Sequence, residues 1–435
     1  MPTLAWAWHP RGGMQSMPID TAQLRAALEA GRGEVQDLLC QLIRVPSVRG
    51  GERPATDLMR NALAPITDRC DLVPIAETIQ DDPDFSWRST DYTYSDRPNL
   101  CAALASDRGP TFFMNTHLDV VPPSVGQERP YDPRVEGGVV FGRGACDAKG
   151  QAATIFAVMR TLKKLGLRLP CTIEAHLVIE EENGGNGTLA MIRHLEATRG
   201  KRCAAAAVVL EPSNLRIMPS VRGAMWFRLK VLGQAGHSGK PGSSVSALKK
   251  AVVAMQVLED YHDRLLAASR GNPLFDAFEN PMPVTFGTCR AGNWPAAAPA
   301  EATLEGVFGF LPPKKRPDIR REMTEALRTC NDEWLREHFE LSFPMLHADG
   351  NELDPQHPLV TGLEASLRES GIEPKLSALT GSCDARCYAN DLAIPTVVFG
   401  PGDLGTAHGK NEQVSVDEIL KAAEVLIRTF EQLSR

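Results

Sequence analysis

Three things are scarce in this 435-residue chain. Cysteine is one: there are 10, with no Cys-x-x-Cys pair among them. That excludes a disulfide scaffold and a thioredoxin-like or zinc-knuckle motif, and makes reduced thiols in a cytoplasmic setting the expectation. Long apolar runs are the second. None approaches the ~18 residues of a membrane-crossing helix, and residues 1–20 mix Pro, His, Arg and paired Gly where a signal peptide needs an apolar stretch. Excess positive charge is the third, because 47 Lys and Arg against 54 Asp and Glu leave −7 with no basic block. A chain of that charge has little to offer a phosphate backbone. Neither export, nor a membrane, nor nucleic acid is expected. Met14 and Met17 are alternative starts, so the first dozen or so residues are expected to be an unpacked tail.

What is present is an ordinary globular composition. Hydrophobic residues make 43%, and 36 Gly with 32 Pro stay well below a low-complexity chain. At about 150 residues per domain the length allows two or three domains. Apolar residues from Thr21 to Val48 recur at helical spacing with a break at Gly31 and Gly33. The acidic, aromatic stretch Asp81 to Asp96 reads as a long solvated loop. Beyond it, Thr111 to Thr116, Thr172 to Ile179, Ala204 to Leu210 and Pro395 to Phe399 read as buried strands. Helical segments such as Ala152 to Leu165 alternate with them, which predicts an α/β domain with a mainly parallel sheet. The order changes between Val221 and Asp349. There, strand (Met225 to Val231), helix (Val245 to Leu258), strand (Ala302 to Phe310) and helix (Arg316 to Leu335) predict an inserted two-layer α+β domain. The boundaries are therefore 18–220 with 350–435 for the larger, discontinuous domain and 221–349 for the insertion. The last helix opens on Ser415-Val416-Asp417-Glu418, a capping-box sequence.

Ligands of parallel sheets bind beyond the carboxyl ends of the strands. The residues expected there are His117 and Asp119, Asp147, Glu181 and Glu182, Glu211, and His408. One such residue alone is more often a cap or a surface polar group; a converging set is different. If Asp147 bridges two ions, His117 and Glu211 complete one site and Glu182 and His408 the other, each with room left for water. Asp119 can then hold the His117 imidazole in one tautomer. Glu181 is left as general base.

The motifs His117-x-Asp119, Gly142-x-Gly-x-x-Asp147, Glu181-Glu182-x-Gly184-Gly185, Leu210-Glu211-Pro212, Gly236-His237-Ser238 and Ala407-His408-x-x-Asn411-Glu412 resemble, in order, the co-catalytic di-zinc amidohydrolase and metallopeptidase family. That family includes acetylornithine deacetylase, succinyl-diaminopimelate desuccinylase, aminoacylase and glutamate carboxypeptidase. The resemblance implies two Zn²⁺, with Co²⁺ or Mn²⁺ as substitutes, and the residue roles just given. It also implies a lid domain that mediates homodimerisation and a cis peptide at Asp147-Ala148. By the same resemblance His237 becomes an oxyanion donor acting from the partner subunit, Asn293 a substrate contact and Arg386 a substrate-carboxylate ligand. The lid departs from the family at Ser244-Val245-Ser246-Ala247 and at Val307-Phe308-Gly309-Phe310. Cys146 is read as a bystander to the metal chemistry, and Cys383 and Cys387 as buried small residues. The function implied is metal-dependent deacylation of an N-acyl amino acid or related amine. The alternative is a carboxypeptidase or dipeptidase. A non-catalytic binding protein is the reading from another class, and the intact set of ligand types and base speaks against it.

Overall fold

The computed structural model describes residues 19–88, 91–237 and 242–435. The expected N-terminal tail and Ser238 of the Gly-His-Ser motif lie outside them. At the centre, four parallel neighbours run in the order Thr172–Val178, Thr111–His117, Ala206–Val209 and Thr396–Val398. Their residues are buried almost without alternation, as in a sheet covered on both faces. The flanks are mixed. Asn99–Leu104 and Arg69–Val73 extend one edge antiparallel, and Ile217–Val221 continues the other antiparallel to Thr396–Val398. Gly150–Lys164 and Val416–Leu433 pack on one face, with Phe112 and Phe430 stacked at 5.2 Å between ring centroids.

The main sheet passes into a second one directly, from Ile217–Val221 through Arg222 into Gly223–Leu232. That second sheet orders Val284–Ala291, Glu301–Phe310, Gly223–Leu232 and Phe339–Ser342, all antiparallel. It carries its own apolar cluster, including Phe227, Phe308, Leu258 and Met323, beneath the helices Ala247–Ala268 and Arg316–Thr329.

Several local expectations need adjustment. The helix expected from Val245 starts at Ala247, because the Ser246 side chain caps it by accepting from Lys249 N, and it runs on to Ala268. The single helix expected over Arg316 to Leu335 is two, Arg316–Thr329 and Glu333–Glu337: Cys330 is extended and Asp332 caps a new start by accepting from Leu335 N. The strand Val284–Ala291 was not foreseen. At the last helix Ser415 Oγ accepts from Asp417 N, but Glu418 does not close the box; it accepts from Gly402 N instead.

A further adjustment concerns Asp81 to Asp96. Apart from residues 89–90, which lie outside the described set, this segment is the largely exposed loop expected, but it is anchored at buried Phe85, Ser86 and Tyr94. Phe85 and Tyr94 are buried edge to face at 6.4 Å, and the Asn186 side chain bonds both the N–H and the C=O of Ser86. Its acidic residues are in use: Asp82 pairs with Arg193, and Asp84 pairs with Arg193 and with Arg316 of the second sheet's helix. The composition that suggested solvation supplies ion pairs.

Glu174, fully buried in Thr172–Val178, bonds Arg69, Arg199 and His176, whose other ring nitrogen meets Tyr388 Oη. Burial pushes its carboxyl up, but the His176 and Arg199 contacts win and hold it well below its ordinary 4.5. A depressed carboxylate stabilises the fold above its unfolded pKa and loses that contribution as pH falls. Glu174→Gln should therefore cost about 1.5–3 kcal/mol at neutral pH. The deficit should begin to shrink below about pH 4.5; urea unfolding at pH 7 and pH 4 measures both.

Candidate active site

The parallel strands end side by side, and the expected residues follow. His117 closes its strand, Glu181 and Glu182 come just after Thr172–Val178, and Glu211 comes just after Ala206–Val209. Asp147 and His408 do not sit at strand ends. Asp147 lies in the kinked turn Ala145–Lys149 before Gly150–Lys164, and His408 in the loop after Leu404–Thr406. The Asp147-Ala148 peptide is cis, as the resemblance implied.

Asp147 is the centre of the arrangement. Its Oδ1 lies 2.9 Å from His117 Nε2, and its Oδ2 lies 3.3 Å from His408 Nε2. His408 Nε2 is also 3.0 Å from Glu182 Oε1, and Glu211 Oε2 is 4.0 Å from His117 Nε2. Asp119 stands beside the His117 imidazole, as expected, and has a second task. His117 Nδ1 is 3.0 Å from the Asp119 main-chain carbonyl and 3.5 Å from its carboxylate. That carboxylate also accepts from the Glu181 and Glu182 N–H groups at 3.2 and 3.1 Å. Asp119 thus orients the imidazole mainly through its backbone and the glutamate pair through its side chain.

The electrostatics show what is needed to complete the site. Burial, then the neighbouring carboxylates Glu211, Asp384 and Glu182, push Glu181 well up, with His117 opposing. Glu211 and Glu182 are raised by burial and by Asp147. Asp384 is raised by burial to about 6. Hydrogen bonds to Asp147 and Glu182 raise His408 to about 10. Burial opposes a charged His117, but bonds to Asp119 and Asp147 overcome it. A concentration of buried carboxylates that favours positive charge on two imidazoles is a site suited to added cations. Imidazole and carboxylate are zinc-type donors, and His117, Asp147 and Glu182 each place a donor atom within 4.8 Å of the others. The residues fit a pair of divalent cations, with Asp147 able to serve both. Cys101, Glu174 and His176 meet the same spacing, but both Glu174 oxygens are already taken by arginine guanidinium groups.

Comparison with known proteins gives the family. Residues 113–432 match the family described as Peptidase family M20/M25/M40. The chain belongs to that family. A succinyl-diaminopimelate desuccinylase of Methylobacterium radiotolerans is 28% identical over 433 residues, covering 95% of this chain and 98% of that protein. An N-formyl-4-amino-5-aminomethyl-2-methylpyrimidine deformylase of Bacillus subtilis is 24% identical over 360 residues, or 77% and 82% of the two chains. The crystal structure of a dinuclear metal-binding M20 peptidase from Bacillus subtilis has the same fold, with a TM-score of 0.65 at 13% identity over 93% of this chain and 99% of that one. The protein is accordingly an enzyme, an amide hydrolase of the metallopeptidase and amidohydrolase kind.

The remaining M20 expectations are distributed unevenly. Arg386 lines the cleft beside Glu181, with Nη2 donating to Gly184 O at 2.9 Å. His237 is exposed on the two-residue strand Gly236–His237 paired with Ala297–Ala298, and Asn293 is exposed beyond Val284–Ala291. Neither lines the cleft that holds Glu181 among the described residues. The Cys146 thiol is pushed up by burial and points at Asp403 O, while Cys383 and Cys387 are buried free thiols.

Sequence reasoning missed the supports. Glu412, quoted only as part of a motif, accepts from Cys146 N and Asp147 N at 3.1 Å each and pairs with the fully buried Arg143. Glu180, first of three consecutive glutamates, turns away from the cleft at φ 58 and binds Arg97, Arg49, Tyr94 and Asn186. Asp384 lines the cleft with Oδ1 unpartnered and Oδ2 held by Thr188. Gly185 makes this possible, since a Cβ there would stand 2.8 Å from Asp384 Oδ1. The recoverable signal was the polar run around each motif.

Arg97 separates the buried carboxylates of Glu52 and Glu180 at 2.5 and 2.6 Å. Arg97→Ala would leave Glu52 without its cation and Glu180 with Arg49 alone, at a cost of about 3–5 kcal/mol. It should also release the segment above them, raising amide hydrogen exchange from Phe85 to Tyr94 while Val416–Leu433 stays protected.

Proposed function

We propose that this enzyme removes the acyl group from an N-acyl amino acid or a closely related amine, using two divalent cations, Zn²⁺ first among them. The observation that carries the reading is Asp147, with one carboxylate oxygen facing each histidine. His117 and Glu211 would hold one ion, Glu182 and His408 the other, and Asp147 both. When bound, the ions supply positive charge that polarises a carbonyl and acidifies water.

The protein's own groups do the rest. Glu181, partly buried at the cleft wall, takes a proton from the attacking water and delivers it to the leaving nitrogen. Asp119 holds the Glu181 main chain while it does so. Arg386 offers a guanidinium to a substrate carboxylate. Residues 221–349 act as lid and dimer interface. His237, exposed and away from its own chain's cleft, reaches the partner's site and donates to the carbonyl oxygen as it gains charge; Asn293 contacts substrate from the same lid. Reduced thiols suit a cytoplasmic enzyme, and no helix among the described residues is long and apolar enough to cross a membrane. Peptide bonds flanked by a carboxylate would meet the same groups, which keeps a dipeptidase or carboxypeptidase reaction as the second reading.

Two outcomes check this. Glu181→Gln should lower turnover of N-acetyl and N-succinyl amino acids by about 10²–10⁴-fold while elemental analysis still finds two ions per chain. Loss of metal instead would mean that Glu181 and Glu182 exchange roles. Separately, His237→Ala and Glu181→Gln should each be nearly inactive as homodimers, since an oxyanion donor is worth about 10²–10³ in rate. A purified mixed dimer of the two contains one intact site and should regain close to half of wild-type activity. Activity no higher than the parents would place His237 in its own subunit's site or refute the dimer.

A further inference from the structure

The chemistry above uses only the polar residues of the cleft, which also has aromatic lining. The cleft, of about 140 Å³, is lined by the polar Glu181, Glu182, Asp384 and Arg386 and also by Trp87, Trp226, Met345 and Leu346. The two indoles come from different sheets' territories and meet at 6.3 Å between centroids, tilted by 53°.

Both rings are placed by the backbone. Trp226 lies within Gly223–Leu232, opposite Val307, and its N–H donates to Leu346 O at 2.7 Å. Trp87 has a left-handed backbone, φ 47, which a bulky residue seldom adopts. It is held there by Arg49, whose Nη2 donates to Trp87 O at 3.0 Å and whose guanidinium lies 5.6 Å from the ring centroid. Arg49 is anchored in turn by buried Glu180. Trp87 nevertheless remains 43% exposed. A large ring fixed in an uncommon conformation, half in water, beside hydrolytic groups, contributes little to the core. It is arranged to receive something apolar.

Resting on the amide-hydrolase reading, we propose that the Trp87–Trp226 wall is the specificity subsite, and that the substrate carries an aromatic ring next to the scissile amide. At 6.3 Å the indoles touch each other and leave no slot between them, so the ring lies against the wall they form together. Planar rings favour offset or edge-on contact with indole, which a branched aliphatic side chain of similar bulk cannot reproduce. The ring can belong to the amine side or to the acyl side.

The test compares N-acetyl-phenylalanine (ring on the amine side), N-benzoyl-alanine (ring on the acyl side), N-acetyl-leucine and N-acetyl-alanine, with the metal-loaded protein. One ring-bearing compound should exceed N-acetyl-leucine in kcat/KM by about two- to tenfold. Trp226→Ala and Trp87→Ala should collapse that ratio toward one, and Trp226→Phe should retain most of it. Equal or better turnover of N-acetyl-leucine, or variants that slow all four compounds in proportion, would overturn the proposal. Calorimetric binding of the same four compounds separates this from the reading beneath it. Binding that favours a ring, without hydrolysis of any of the four, keeps the subsite and removes the deacylase assignment. Binding with no such preference removes the subsite.

Discussion

A single carboxylate shared by two imidazoles organises this protein's active site. Asp147 sits between His117 and His408, and each neighbour is positioned with respect to it. Glu412 fixes its backbone from below, Arg143 neutralises Glu412, and Glu182 reaches the second imidazole. The surrounding glutamates are buried and mutually repulsive, so the centre is electrostatically unfinished without added positive charge. Such a centre persists only because a well-packed sheet and its helices hold the groups in place against that repulsion.

The parallel sheet supplies the frame. Adjacent strands end at a common edge, which brings residues distant in sequence to one place, while the kinked turn at Asp147 and the loop at His408 bring in the two that no strand end provides. The segment 82–88 then joins this frame to the second sheet. Asp84 bonds Arg316, His347 bonds Pro83 O, and Trp87 meets Trp226. The cleft is therefore bounded by elements of both sheets, and relative movement of the two would alter its aromatic wall before it altered the polar centre.

Legibility followed the same division. Buried strands read as apolar runs, and the polar residue that stops each run marks the site, so His117, Glu181, Glu182 and Glu211 were visible without coordinates. Asp147 and His408 could be placed through their motifs, although not as strand ends. What could not be read was the use made of polar residues outside the motifs. The acidic stretch before Asn99 carries the composition of a solvated loop and is largely one, and only the positions of Arg193, Arg316 and Asn186 show where it is anchored. The side chain of Asp119 and its main-chain carbonyl were equally available in the sequence, and hydrogen-bond geometry decides between them.

The run Glu180-Glu181-Glu182 shows how backbone conformation distributes function among identical residues. Positive φ at the first turns it inward to an arginine and tyrosine cluster, leaving the second on the cleft and the third beside His408. Removing any one of the three codons yields the same polypeptide. Such a deletion mutant has two glutamates to fill three posts, so the anchor under Trp87, the base and the imidazole partner cannot all be kept. The chain must lose one of them according to which register is least costly, whichever codon was lost.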